Sequence, residues 1–195
     1  MKGRFKGTKG MILLGIMVLL VVGFYFYIAN IASPKEGEVE KLTAVQEVLL
    51  RDLDRNYPPS PKEVIKYYGT ITQCFYGEEY TEEELYDLAM KAQELYDAEL
   101  VANKTEEQYM IDLKNDIKEF AANDWVVSSF TTSSSTDVEY FNQDNYEWAR
   151  MYCIFSIRTG TAYQNVNYAF LLRKDENSHW KIYGWTEADN VIKDE

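Results

Sequence analysis

With 195 residues the chain has room for one domain of ordinary size plus a short extra segment, and not for two domains. Apolar residues make up 46% and charged residues 27%, a balance that excludes disorder throughout. Residues 1–32 carry +4 within a net charge of −12, so residues 33–195 carry −16, which argues against a nucleic-acid partner because phosphates require clustered Lys and Arg.

Residues 1–10, with Lys2, Arg4, Lys6 and Lys9, read as a basic cytoplasmic tail. Residues 11–32 (MILLGIMVLLVVGFYFYIANIA) are uncharged. About 20 such residues cross roughly 30 Å of hydrocarbon as a helix, the form an unpaired backbone takes in lipid. The basic residues all precede this segment and place the N-terminus inside. The cluster Phe24, Tyr25, Phe26 and Tyr27 suits the far interface. A cleaved signal peptide is the competing reading; it calls for a shorter apolar run and a small-x-small site, which Asn30 spoils. The expectation is a single-pass cell-membrane protein, its membrane contact residues 11–32 and its C-terminal domain extracytoplasmic.

Residues 33–56 read as a linker and stalk helix. Ser33 to Glu38 is polar with Pro and Gly, and Val39, Leu42, Val45, Leu49 and Leu53 recur at helical spacing through about Asn56. That helix either leads toward the domain or packs on it; its stripe covers barely two heptads, short for a coiled coil. Tyr57-Pro58-Pro59 breaks it, and residues 57–195 form the domain.

Three helices follow, each opened by a capping-box pattern: Ser60-Pro61-Lys62-Glu63, Thr81-Glu82-Glu83-Glu84 and Thr105-Glu106-Glu107-Gln108. Their apolar positions are Val64, Ile65, Tyr68, Ile71, Cys74 and Phe75, then Leu85, Leu88, Ala92, Leu95 and Ala98, then Met110, Leu113, Ile117 and Phe120. After Asn123 the period changes. Trp125–Phe130 and Val138–Phe141 predict short strands around a polar Thr131–Thr136 turn. Longer strands follow over Glu147–Thr159, Asn165–Arg173 and His179–Glu187, joined at Gly160 and Asp175–Ser178. Strands joined by short turns pair antiparallel, so the fold class is α+β, with helices first and a meander of strands after.

Chemistry-bearing patterns are sparse. His179 is the one histidine, too few for a nucleophilic triad or a zinc site, and it reads as a solvated turn residue. The Glu clusters at 78–79, 82–84 and 106–107 sit at helix starts, where capping explains them, and Asn103-Lys104-Thr105 is a formal glycosylation sequon whose Thr reads as a helix cap. No catalytic residue, metal ligand or cofactor is expected. Cys74 and Cys153 occupy apolar positions and read as buried thiols, with a disulfide open to them outside the cell. One constellation stands out on the mixed faces of the long strands. Arg150, Tyr152 and Arg158 share one side, Asn167 and Arg173 a side of the next strand, and Tyr183, Trp185 and Glu187 a side of the last. Brought together, these eight residues would wall a pocket for a small anion or peptide carboxylate; otherwise they make ordinary cross-strand contacts.

Tyr168–Lys174 (YAFLLRK), the Asp-Glu-Asn-Ser turn and His179–Trp185 (HWKIYGW) resemble the closing strands of NTF2-like (cystatin-like) domains, over about residues 60–190. Tyr57-Pro58-Pro59-Ser60-Pro61 is similar to the domain opening of an uncharacterised single-pass family of Gram-positive bacteria, which implies no activity. The NTF2-like resemblance implies helices against a curved sheet. By analogy with anchored members, it also implies a non-catalytic scaffold domain with a protein partner. The alternative it implies is a small-ligand pocket, in a sensor or a SnoaL-like hydrolase or isomerase, for which no interior Asp or His stands out.

Overall fold

The computed structural model describes residues 42–188. The expected tail, membrane helix and first part of the stalk lie outside the described residues. Among the described residues no helix is long and apolar enough to cross a membrane.

The first helix, α1 (Ala44–Leu49), is capped by a reciprocal Thr43–Gln46 box, a start signal that the stripe of apolar residues alone did not reveal. It is six residues long and ends well before Tyr57. The Asp52 carboxylate accepts the backbone N–H groups of Asp54 and Arg55, a local turn that competes with helix. Val45, Val48 and Leu53 are almost wholly buried, so this stretch packs on the domain rather than leading to it as a stalk.

Helix α2 (Pro61–Gly77) starts where Ser60 Oγ accepts the Glu63 N–H at 3.3 Å, with Pro61 in the first turn. Helix α3 (Glu82–Glu94) opens on Thr81 and Glu84, whose bonds close in both directions. The expected continuation to Ala98 fails: Leu95 and Asp97 leave the helix to exchange backbone hydrogen bonds with Ile182 at 2.8 Å each. A separate turn, α4 (Ala98–Ala102), then begins at the Asp97 cap, and α5 (Glu106–Ala122) begins at Thr105.

The sheet runs β1 (Trp125–Thr132), β3 (Tyr146–Thr159), β4 (Ala162–Lys174), β5 (Trp180–Glu187), all antiparallel neighbours. Strand β2 (Glu139–Gln143) pairs with the first half of β3, so β1 and β2 occupy the same edge of β3 in succession. A single 3-10 turn, Ser135–Asp137, separates them. Gly160 turns β3 into β4 at φ 58°, a left-handed conformation that glycine adopts without a Cβ clash.

Helices cover one face of this curved sheet. Val64, Ile65 and Ile71 of α2, Leu88 of α3 and the nearby Leu95 meet Met151, Phe170, Leu172 and Ile182, all under 2% exposed. Each such side chain contributes about 1.5–3 kcal/mol by burial. Helix α2 approaches β1 closely at Gly69, where an added Cβ would lie 2.6 Å from the Phe130 ring.

Candidate functional site

The outer face of the sheet carries most of the expected constellation, and it is largely closed upon itself. Arg173 reaches across β5 to Asp97. Its Nε and Nη2 donate to the two Asp97 carboxylate oxygens at 2.9 and 2.6 Å, and Nη1 donates to Glu99 at 2.8 Å. The Arg173 side chain is 12% exposed and that of Asp97 5%. Three rings enclose the guanidinium carbon, with centroids 4.6 Å away for Tyr146, 5.0 Å for Tyr183 and 5.6 Å for Trp148. Trp148 is itself buried beneath Phe141, with rings parallel at 6.3 Å, and donates its indole N–H to the Gln143 carbonyl. Hydrogen bonds from Arg173 and Tyr183 hold the Glu99 carboxyl below its usual range.

Arg150 pairs with Glu139 at 3.1 Å in the open, and its guanidinium lies over Phe141. Tyr152 is half-buried opposite Ala169. Asn167 lies opposite Ile154, with a buried Oδ1 that accepts no hydrogen bond from the described residues.

The expected grouping of Tyr183 with Trp185 and Glu187 does not hold. An irregularity opposite Leu171 and Leu172 inserts Tyr183 as an extra residue, so the two-residue alternation shifts there. Tyr183 therefore faces outward against Trp148 at 5.0 Å. Trp185 and Glu187 stand on the helix side, opposite Phe170 and Tyr168.

That helix side is filled by aromatic rings. Trp185 lies 5.8 Å from Tyr68, 5.7 Å from Tyr96 and 6.1 Å from Phe170. The Tyr68 and Tyr96 hydroxyls meet at 3.5 Å, and Tyr109 stands perpendicular to Tyr96. Burial pushes the hydroxyl pKa values of Tyr68, Tyr76, Tyr96 and Tyr109 upward, so these groups are neutral donors and acceptors at physiological pH. In the sequence this convergence leaves one trace, Tyr68 on the apolar face of α2.

Arg158 has a different setting. It lines a cleft of about 740 Å³ where α2 and α5 end beside the start of β1. It donates to the Gly160 carbonyl at 3.4 Å.

Cys74 and Cys153 are both buried free thiols. Burial pushes the first up to about 11, with Glu78 adding to the effect, and the second up to about 12. His179 is not simply a solvated turn residue: its ring stacks on Tyr57 at 4.2 Å, and Lys181 lies over the other ring of that pair. The Tyr57 hydroxyl donates to the Trp180 carbonyl, so the Tyr-Pro-Pro segment is fastened to β5. Among the described residues no group of three or more His, Cys, Asp or Glu converges as a metal site.

The model of a family described as "Domain of unknown function (DUF6715)" matches residues 1–185. The chain belongs to the DUF6715 family. The DUF6715 match takes in the apolar N-terminal segment together with the domain, ending two residues before the last residue of β5. A search of the curated proteins finds no match.

Proposed function

We propose that this DUF6715 chain is a non-catalytic, membrane-anchored, extracytoplasmic domain that binds a protein partner at the membrane surface. The observation that carries the reading is the neutralisation of Arg173, the most enclosed cation of the expected pocket, by Asp97 and Glu99 under three aromatic rings. A buried ion pair with matched hydrogen bonds is already satisfied and offers little to an incoming anion. Arg150 is likewise paired, and the helix side of the sheet is occupied by tyrosines that stay protonated. General acid–base chemistry calls for a group titrating near the working pH, and the buried tyrosines, raised by burial, do not.

The anchor rests on residues 11–32 as a sequence argument. Helices on one face of a curved antiparallel sheet agree with the NTF2-like class as an architecture, and fold alone assigns no activity. The surface offers anchors for a partner in Tyr140 (59% exposed) and Trp185 (42% exposed), residue types enriched at interfaces.

The test is a photo-crosslinking scan in native membranes, with benzoylphenylalanine placed at Tyr140, Trp185, Trp125 or Tyr163. Labelling of Ser178→Cys and Thr8→Cys with a membrane-impermeant maleimide accompanies it. The expected result is an adduct of one mass from one face only, with Ser178→Cys labelled in intact cells and Thr8→Cys only after lysis. No adduct at any position, or the reverse labelling pattern, refutes the proposal.

A further inference from the structure

The cleft of about 740 Å³ around Arg158 is built from residues that the ion-paired face does not use. Two helices end at it. Helix α2 stops at Gly77 with Glu78 as its cap, and α5 stops at Ala122, followed by Asp124 at φ 52°. Each helix C-terminus presents about half a negative charge through its unsatisfied carbonyls. Glu78 and Asp124 add two carboxylates to the lining, and among the described residues neither forms an ion pair. Against the single charge of Arg158, the local balance is about −2.

The walls are aromatic. Tyr76 packs on Phe120 at 4.3 Å, and Phe120 meets Trp125 edge to face at 5.5 Å, leaving Trp125 38% exposed. Ring faces carry a negative quadrupole that attracts cations, Trp most strongly. The segment that joins these two carboxylates is acidic as a whole. Residues 78–124 hold fifteen Asp and Glu against four Lys, a net −11, whereas residues 42–77 balance and residues 125–188 carry only −2. The domain's negative charge is thus concentrated in the segment whose two ends, Glu78 and Asp124, line the cleft.

We propose that this cleft receives an arginine side chain of a basic partner polypeptide. The flat guanidinium stacks on Trp125, its N–H groups face the Glu78 and Asp124 carboxylates, and Arg158 donates its free N–H groups to carbonyls of the partner's backbone. The inference rests on the protein-binding reading and names the chemistry of the partner.

The test uses the full chain in a non-ionic detergent, labelled with 5-fluorotryptophan. The four tryptophans give four fluorine resonances, and Trp125→Phe assigns the one of interest. The probes are N-acetyl-arginine amide, its neutral isostere N-acetyl-citrulline amide and N-acetyl-glutamate amide. The arginine probe shifts the Trp125 resonance, the citrulline probe binds markedly more weakly and the glutamate probe is silent. Glu78→Gln and Asp124→Asn each weaken the arginine probe about 2- to 5-fold, the range for a partly exposed charge pair. Asparagine keeps the left-handed backbone at 124, so loss of folding does not confound that variant. Equal shifts from arginine and citrulline, a shift from glutamate, or a silent Trp125 overturn the assignment. Because the probes need no partner, a silent Trp125 beside a positive crosslink removes the cleft and leaves the interaction reading standing.

Discussion

Replacing Arg173 with methionine isolates the buried ion pair. Methionine keeps the apolar length of the side chain, so the main change is loss of the guanidinium above Trp148 and of three hydrogen bonds. Glu99, 60% exposed, returns to water at little cost. Asp97, 5% exposed, keeps only the bond it accepts from the Glu99 N–H and becomes a buried charge without a counter-ion. Removing one partner of such a pair costs about 3–5 kcal/mol. Partial re-solvation of Asp97 at the sheet edge places the expectation near 3 kcal/mol, a fall of about 6–12 °C in Tm for a domain of this size. Asp97→Asn retains the cap on α4 and part of the bonding, so it costs less, about 1–2 kcal/mol. The double variant removes the orphaned charge and is more stable than the sum of the single losses predicts, by about 1–3 kcal/mol. The assay is thermal and urea unfolding of the full chain in non-ionic detergent, followed by near-ultraviolet circular dichroism, which reports the Trp148, Tyr146 and Tyr183 rings around the guanidinium. A cost below about 1 kcal/mol for Arg173→Met, or strict additivity in the double variant, refutes the argument that this pair closes the face.

Gly69→Ala is destabilising by about 1–3 kcal/mol although alanine is the better helix former, because the Phe130 ring and its attachment carbon lie within 2.9 Å of the new methyl group; unfolding midpoints that rise instead of falling contradict this packing. At pH 8 the thiolate fractions of Cys74 and Cys153 are about 10⁻³ and 10⁻⁴, against about a quarter for a free cysteine. Native iodoacetamide labelling is therefore slower than in the unfolded chain by about two orders of magnitude or more, and denaturation without reductant exposes both thiols; finding none there identifies a disulfide instead. Glu99 and Asp112 have depressed pKa values, the first through Arg173 and Tyr183 and the second through Lys104 and Gln108. A depressed carboxylate contributes stability that is present above its unfolded pKa and lost as pH falls through the folded one. Stability therefore drops on acidification below about pH 4.3, and Glu99→Gln reduces the drop between pH 5 and pH 3; an unchanged slope counts against the Glu99 contacts.

Local signals were enough for most of the architecture. Thr81 followed by Glu84 specifies a helix start because the cap and its partner lie three residues apart. Gly77 and Gly160 specify an end and a turn, and alternation through Met151, Cys153 and Phe155 assigns the buried face of β3, because strand side chains alternate with period two. The candidate site was less legible. Its residues were correctly placed on the long strands, but alternation counted from β5 alone put Trp185 and Glu187 on the side of Tyr183, and they stand on the other. An extra residue against β4 is a property of pairing, and no residue within β5 encodes it.

The amino-acid sequence by itself determined the α+β class of this DUF6715 domain, the order of its longer helices and strands, and its acidic balance, because propensity, capping and periodicity act over a few residues. Only the tertiary structure decided that Val45, Val48 and Leu53 belong to the core instead of a stalk, that Arg173 meets Asp97 across 76 residues of chain, and that Glu78 and Asp124 line one cleft. Those contacts depend on strand register and on where two helices happen to end. Both are set by the joint packing of the helices on the sheet, which no short window of sequence contains.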